Sequence, residues 1–374
     1  MLIAIDASRA INETAGIGRY TRNLVKKMIE IDQKNQYLLI FSFWRPSPQK
    51  EKLIKTFGQS NVKIKILKIP GGLKEKVWQW RLPWYEKFLA GADVFFAPSF
   101  FEVNFGLKIP QVATIHDLST FIFPAHRGKN ISQRLSRRAQ AAVKIAQKII
   151  CVSASTAQDA VRYLNVNPRK IKVIYPGITD FPSAVKNLPS SLQSKSYILF
   201  VGTLEPRKNL VGLFKAYALL PPYLQEKFPL VIVGAEGWNT GETFAVFRAL
   251  KLAHKVKFLG YVADAVLAKL YQEAAVFVYP SLYEGFGLPV LEALSFGTPV
   301  VTANISSLPE VAGKAALLVD PNDPQSIANG LQRLLEHQEE REKLAILGPQ
   351  QAAKFSWEKS SRQTLKVLEE VGRN

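Results

Sequence analysis

Two doubly wound α/β domains are what this sequence predicts, and three observations carry the expectation. Short β-branched or aromatic runs alternate with helical patterns along the whole chain, the pattern of a parallel sheet with crossover helices. At 374 residues the chain exceeds one ordinary core and suits two domains of roughly 150–200 residues each. Near its middle, FPSAVKNLPSSLQSKS over 181–196 is rich in Ser and Pro and has no hydrophobic period, so it reads as a linker.

The elements follow in order. In the first half the strand candidates are LIAIDAS, YLLIFSF, VKIKILKI, DVFFAPS, QVATIHD, KIICVSA and IKVIYPG. Residues 18–32 predict a helix, with Tyr20, Leu24, Met28 and Ile31 at helical spacing. In the second half the strands read YILFVGT, PLVIVGA, KVKFLGYV, AAVFVYPS, TPVVTAN and AALLVD, and residues 355–374 form one more amphipathic helix. The expected organisation is a first domain over 1–182, a linker over 183–196, a second domain over 197–355 and a C-terminal helix over 356–374. Ligands of such sheets bind beyond the carboxyl ends of the strands, and two such crevices are expected to face each other.

Composition narrows the class. Apolar residues make up 47% of the chain, yet no run approaches the roughly 20 residues that span a bilayer. The opening MLIAIDASRA meets Asp6 early and has no basic lead-in, which is unlike a signal peptide and points to the cytoplasm. Cys151 is the single cysteine, which excludes an internal disulfide and a cysteine-rich zinc site; within KIICVSA it reads as a core thiol. The net charge of +19 is unevenly divided. Residues 1–185 hold 29 Lys/Arg against 12 Asp/Glu, a net of +17, and residues 186–374 hold 20 against 18, a net of +2. From Leu118 to Gln158 there is no acidic residue, while Arg127, Lys129, Arg134, Arg137, Arg138, Lys144 and Lys148 accumulate. An anionic partner for the first half alone is implied: a membrane surface, a phosphate-bearing substrate or nucleic acid.

The strongest chemical signals lie in the second half. In VGTLEPRKNL, over 201–210, a strand ends at Gly202 and a helix is expected near Lys208. Cations are poor choices for a first helical turn, so Arg207 and Lys208 there call for a bound anion, and a diphosphate suits them. A surface ion pair with Glu205 is the bland alternative. In PSLYEGFGLPVLEA, over 280–293, a strand ends, a glycine loop follows and Pro289 suits a first helical turn. Gly285 and Gly287 permit close backbone approach, and the N–H groups of Gly287 and Leu288 can donate to oxygens. Glu284 and Glu292 would repel phosphate, so hydroxyls are their expected partners: the transferred sugar for Glu284, the nucleotide ribose for Glu292. A third glycine is missing for the dinucleotide fingerprint.

The first half carries weaker signals. AGIGRY, over 15–20, follows the first strand and lets Gly16 and Gly18 approach phosphates. His116 in TIHD ends a strand on the crevice side, where it can bond a sugar or position an acceptor. His126, His254 and His337 show no metal-ligand spacing, and there is no Asp-x-Asp, so a metal-free site with Arg207 and Lys208 neutralising charge is expected. Backbone groups around Gly260 to Val262 are candidates for reading the donor base. KEKVWQWRLPWYEK, over 74–87, mixes tryptophans with basic residues and reads either as an interfacial segment or as buried core.

These residues closely resemble glycosyltransferase family 4, retaining enzymes with two Rossmann-like domains facing across a cleft (the GT-B fold). The resemblance runs from AIDASRAINETAGIGRYTRNL through TIHDLS, VGTLEPRKNL, FLGYV and PSLYEGFGLPVLEALSFGTPVV to FSWEKSS. It implies that Arg207 and Lys208 hold the donor diphosphate, Glu292 the ribose and Glu284 the sugar. It also implies that Phe286, Gly287 and Leu288 present backbone groups, that Gly16 closes over the diphosphate, and that His116 is the active-site histidine. The terminal helix would cross back onto the first domain, which takes the acceptor. The opening and the TIHD segment look most like bacterial mannosyltransferases of surface-polysaccharide assembly, hence GDP-mannose as donor and a saccharide or lipid-linked saccharide as acceptor. No enzymic nucleophile is evident, and no cofactor or nucleic acid is expected. On this basis Arg207→Ala and Lys208→Ala should lower turnover far more than stability. A UDP-sugar-dependent hexosyltransferase, a sugar-nucleotide epimerase and a basic RNA-binding protein are the alternatives, the last leaving Glu284 and Glu292 unexplained.

Overall fold

The computed structural model describes residues 1–13, 16–69, 88–89, 91–185 and 192–373, and excludes the side chains of 126, 127 and 129. The tryptophan-rich segment over 74–87 and residues 186–191 of the linker expected over 183–196 therefore lie outside the described residues. The chain forms two compact units: one of residues 1–122, 130–177 and 355–374, the other of residues 123–129 and 178–354.

The first unit is built on a seven-stranded parallel sheet. Its strands are β1 (Leu2–Asp6), β2 (Gln36–Ser42), β3 (Val62–Leu67), β4 (Val94–Ala97), β5 (Gln111–Ile115), β6 (Lys148–Cys151) and β7 (Ile171–Val173), in the order β3-β2-β1-β4-β5-β6-β7. Central strands are covered on both faces, and VFFA of β4 and QVATI of β5 are buried throughout, Gln111 and Thr114 included. β3 lies at the edge, where Lys63 is exposed and interrupts the apolar run. Cys151 ends β6 as a buried core thiol; burial first, and Asp159 second, push it up to about 12.

The helix Ile17–Ile31 packs on the C-terminal helix Trp357–Gly372, whose buried Leu365, Leu368 and Val371 complete this unit's core. The approach is tight. A Cβ on Gly177 would lie 2.2 Å from the Trp357 backbone nitrogen, and Ser361 Oγ donates to Leu24 O at 3.2 Å. The helical pattern at both ends of the chain thus marks two faces that bury each other.

The second unit holds a six-stranded parallel sheet: β8 (Ile198–Val201), β9 (Leu230–Val233), β10 (Val256–Gly260), β11 (Val276–Tyr279), β12 (Val300–Ala303) and β13 (Ala316–Val319). Their order is β10-β9-β8-β11-β12-β13. β8, β9 and β11 are fully buried, whereas edge strand β10 is only partly covered. Both sheets reverse direction of growth beside their first strand, at β1/β4 and at β8/β11. Connections leaving such a neighbouring pair run to opposite sides, which opens a crevice at the carboxyl ends of those two strands.

Candidate active site

Arg207, Lys208 and Glu284 meet at the β8/β11 switch point of the second unit. The chain leaving β8 forms a short 3-10 turn, Pro206–Lys208, before the helix Leu210–Leu219. The helix therefore starts two residues later than its expected position near Lys208. The cause is Asn209, which takes a left-handed conformation at φ 60° and interrupts the helical path. Its side chain accepts from Gly212 N (3.2 Å) and donates to the carbonyls of Pro280 (3.0 Å) and Pro321 (2.7 Å). One residue thus caps the helix and ties the loop after β8 to the loop after β11. Leu282 N donates to Arg207 O at 2.8 Å, closing the same junction.

The two cations are held by two carboxylates. Arg207 Nη1 donates to Glu284 Oε2 (2.8 Å) and to Tyr283 O (3.1 Å), and Arg207 Nε lies 2.7 Å from Glu205 Oε1. Lys208 Nζ donates to Glu284 Oε1 (2.6 Å) and to the Tyr279 hydroxyl, which in turn donates to Glu284 Oε1 (3.0 Å). Glu205, Lys208 and Glu284 are buried at 4%, 7% and 6% exposure, so these are not surface pairs. Both sequence expectations for Arg207, an anion-seeking cation and a partner of Glu205, fall on one cluster whose formal charges sum to zero.

Burial alone would raise the Glu284 carboxyl, but Arg207 and Lys208 outweigh it and hold it at about 2. Burial, and then the neighbouring Arg207, lower Lys208 from its ordinary value. The Glu284 backbone is fixed as well: its N–H donates to Ser306 Oγ at 3.0 Å, and Ser307 Oγ donates to its carbonyl at 2.9 Å.

The glycine loop then turns into the helix Leu288–Ser295. Gly287 caps it at φ 105°, and a Cβ there would lie 2.7 Å from Leu308 Cδ2, so this position excludes other residues twice over. Phe286 is buried beside it. Leu288, at the first helical position, is partly exposed, as is Gly202 after β8. A Cβ on Gly202 would meet only ordinary contacts, whereas one on Gly234 would lie 2.0 Å from Gly202 O. Packing in this loop therefore demands Gly234, which the sequence pattern had not singled out. Val262 is half-buried in the turn after β10.

Glu292 sits on the helix Leu288–Ser295 at 4% exposure. Its Oε1 accepts from Thr179 Oγ1 (2.6 Å) and its Oε2 from the Tyr271 hydroxyl (3.0 Å). The two glutamates thus have different described surroundings: charged donors around Glu284, hydroxyls around Glu292. Among the described residues, no group of three His, Cys, Asp or Glu side chains clusters as metal ligands.

In the first unit, His116 follows β5. Its Nε2 lies 2.7 Å from Pro98 O, a carbonyl that can only accept, so Nε2 carries the hydrogen and Nδ1 is left as an acceptor. Burial lowers its pKa to about 4, against smaller opposing contributions from the Pro98 bond and Asp117, so the ring is neutral near pH 7. Tyr20 packs edge-on against it at 4.6 Å. Gly16 begins the helix Ile17–Ile31 at φ 54° with open space around it, whereas a Cβ on Gly18 would lie 2.2 Å from Glu13 O. Gly18 is thus required by the packing of two chain segments, a role that a phosphate-binding pattern does not disclose.

Sequence reasoning missed Thr179, Asn209, Tyr271 and Tyr279 as parts of the site. Only Asn209 offered a local signal, as a capping residue before an apolar helix.

Residues 14–180 match the family model described as Glycosyltransferase Family 4, and residues 187–351 the one described as Glycosyl transferases group 1. The chain is 32% identical to the O-antigen chain mannosyltransferase B of Escherichia coli over 371 residues, 94% of each chain. It is 29% identical over 224 residues to the O-antigen chain mannosyltransferase RfbU of Salmonella typhimurium, 60% of each chain. Among solved structures, sucrose-phosphate synthase from Thermosynechococcus elongatus superposes with a TM-score of 0.78 at 18% identity, over 99% of this chain and 98% of that one. Anabaena HepE in complex with UDP and glucose gives 0.72 at 20% identity, over 99% of both. These likenesses identify the fold as GT-B. With both halves matched by these models and a relative aligned over nearly its full length, the chain belongs to glycosyltransferase family 4.

Proposed function

We propose that this glycosyltransferase moves mannose from GDP-mannose to a saccharide or lipid-linked saccharide acceptor with retention of anomeric configuration. The observation that carries the donor site is the buried, charge-balanced cluster of Glu205, Arg207, Lys208 and Glu284 at the β8/β11 switch point. Support for mannose comes from two relatives named as mannosyltransferases.

A diphosphate arriving at Arg207 and Lys208 competes with Glu284 for the same donors. Glu284 is then freed to accept hydroxyl hydrogens from the transferred hexose. Glu292 already accepts from two hydroxyls, and the ribose diol offers the same pair of donors. Gly202, Phe286, Gly287 and Leu288 line the approach of sugar and phosphates with backbone, Val262 stands by the base, and Gly16 closes over the diphosphate. His116, neutral, offers Nδ1 to a sugar hydroxyl.

As the bond from the anomeric carbon to the diphosphate oxygen breaks, negative charge grows on the leaving phosphate. Arg207 and Lys208 stabilise that charge more in the transition state than in the bound donor. The acceptor oxygen forms its bond on the same face, and its proton passes to the leaving phosphate. The two side-chain cations take the place of a metal ion. Residues 1–182 take the acceptor and residues 197–355 the donor, joined through 183–196.

A UDP-sugar donor is the second reading, favoured by the likeness to HepE, which was solved with UDP-glucose. Incubation with radiolabelled GDP-mannose or UDP-glucose and a lipid-linked saccharide extract separates the two. The expected outcome is transfer of labelled mannose with the anomeric configuration of the donor. An inverted product, or transfer from UDP-glucose alone, contradicts the proposal. The basic first half, in a chain with no described helix long and apolar enough to cross a membrane, suits peripheral binding to an anionic leaflet. Flotation with anionic and neutral liposomes tests this, and equal recovery with both rejects it.

A further inference from the structure

The acid-free stretch over 118–158 has a built feature where it belongs to the first unit. The helix Lys129–Ile145 turns Gln133, Arg134, Arg137, Arg138 and Ala141 to one face, at helical spacing. Phe101 and Phe105, from the loop after β4, stand opposite, and together these residues line a cavity of about 430 Å³. That volume falls within the range of about 300–1,000 Å³ typical of small-molecule sites.

The wall is prepared rather than incidental. Arg138 is 8% exposed, donates through Nη2 to Phe101 O, and lies over the Phe105 ring at 5.5 Å. Phe101 is also covered by Arg9, 4.8 Å from its centroid. These contacts hold the aromatic loop against the helix. Arg134 and Arg137 are exposed at the mouth and make no ion pair among the described residues. Three guanidinium groups within five residues, with no carboxylate from 118 to 158, leave that mouth strongly positive.

We propose that this cavity binds the phosphate or diphosphate head of an amphiphilic acceptor, with Arg134 and Arg137 on the phosphate oxygens and the Phe101–Phe105 wall against the adjoining apolar chain. Guanidinium forks match phosphate oxygens two at a time, and an aromatic wall beside them selects an ester with a hydrocarbon tail over the free anion. This rests on the glycosyltransferase reading only for the word acceptor; the binding claim is independent of it.

Geranyl diphosphate serves as a soluble probe, with inorganic pyrophosphate as the free-anion control. Isothermal titration is run on the full chain and on Arg134→Gln/Arg137→Gln, Phe105→Ala and Lys208→Met. Both arginines are exposed, so the double variant should melt like the parent. The expected result is geranyl diphosphate binding more tightly than pyrophosphate, at least tenfold weaker in the double variant, weaker in Phe105→Ala and retained in Lys208→Met. Unchanged affinity in the double variant, or loss confined to Lys208→Met, overturns the proposal, the latter by placing the probe in the second unit. Pyrophosphate binding as tightly as the prenyl ester also overturns it. If labelled donor is never transferred while this pattern holds, the reading of function fails and the cavity stands.

Discussion

Lys208 and Glu284 form the residue pair on which most rests, and their burial changes what their removal does. From the motif alone, Arg207→Ala and Lys208→Ala were expected to spare the fold. The structure shows each cation holding a buried carboxylate, so substitution leaves Glu284 short of a partner in a low-dielectric site. Lys208→Met should cost about 3 kcal/mol of stability by denaturant unfolding, and at least about a hundredfold in turnover. Lys208→Met/Glu284→Gln should recover part of that stability but none of the activity, because the ion pair is removed as a unit while the diphosphate contact stays lost. A double variant less stable than the single one would contradict this account of the cluster.

The same scale sets the acid response. The folded value of His116 is about 4 against an ordinary 6.5, so between these limits the unfolded chain takes up a proton that the folded chain refuses. Stability therefore falls as pH drops through that window. Glu284, held at about 2 against 4.5, adds a second loss as pH falls from 4.5 towards 2. Melting temperatures of the parent and His116→Gln across pH 7 to 4 check the first step. The variant should show a flatter decline, and parallel curves would remove His116 as its source.

At the level of elements, the site depends on two loops with unusual backbone. Asn209 joins the loop after β8 to the loop after β11, and Gly287 gives the second loop its turn into the helix Leu288–Ser295. Gly287→Ala meets both a positive φ of 105° and the Leu308 side chain, and should cost about 2 kcal/mol while displacing the backbone around Phe286. Differential scanning calorimetry together with the donor KM checks this; an unchanged KM would show that the loop tolerates the shift. Both loops were visible as glycine- and proline-marked motifs, because punctuation of that kind is local. The Asn209 tie was not visible, since its carbonyl partners lie 71 and 112 residues away.

The whole molecule was legible where the pattern repeats. Every expected strand is present: central parallel strands are buried on both faces and leave little room for polar residues, and the edge strands β3 and β10 keep β-branched or aromatic residues beside their lysines. What stayed hidden was side-chain convergence across distance. Thr179 reaches Glu292 over 113 residues and Tyr271 over 21, and no period in the chain encodes such meetings. The terminal helix shows the opposite case, an amphipathic pattern whose partner face only the fold reveals. Deleting residues 356–374 should remove five buried apolar side chains, Trp357, Leu365, Val367, Leu368 and Val371, from the first unit. At about 2 kcal/mol each, their loss rivals the stability of a typical domain, so the truncated chain should fail to fold its first unit. Hydrogen exchange showing β1 and β5 still protected would contradict that.

The central claim, that the second unit seats a nucleotide-diphosphate sugar on Arg207 and Lys208, is tested most directly by a thermal-shift screen of GDP-, UDP- and ADP-sugars against the parent chain. A ligand at a hundred times its Kd stabilises the fold by about 2.7 kcal/mol, a shift of several degrees that such a screen resolves. GDP-mannose should give the largest upward shift, matched in part by GDP and little by mannose alone. No shift with any nucleotide sugar, or an equal shift with free mannose, would contradict the account.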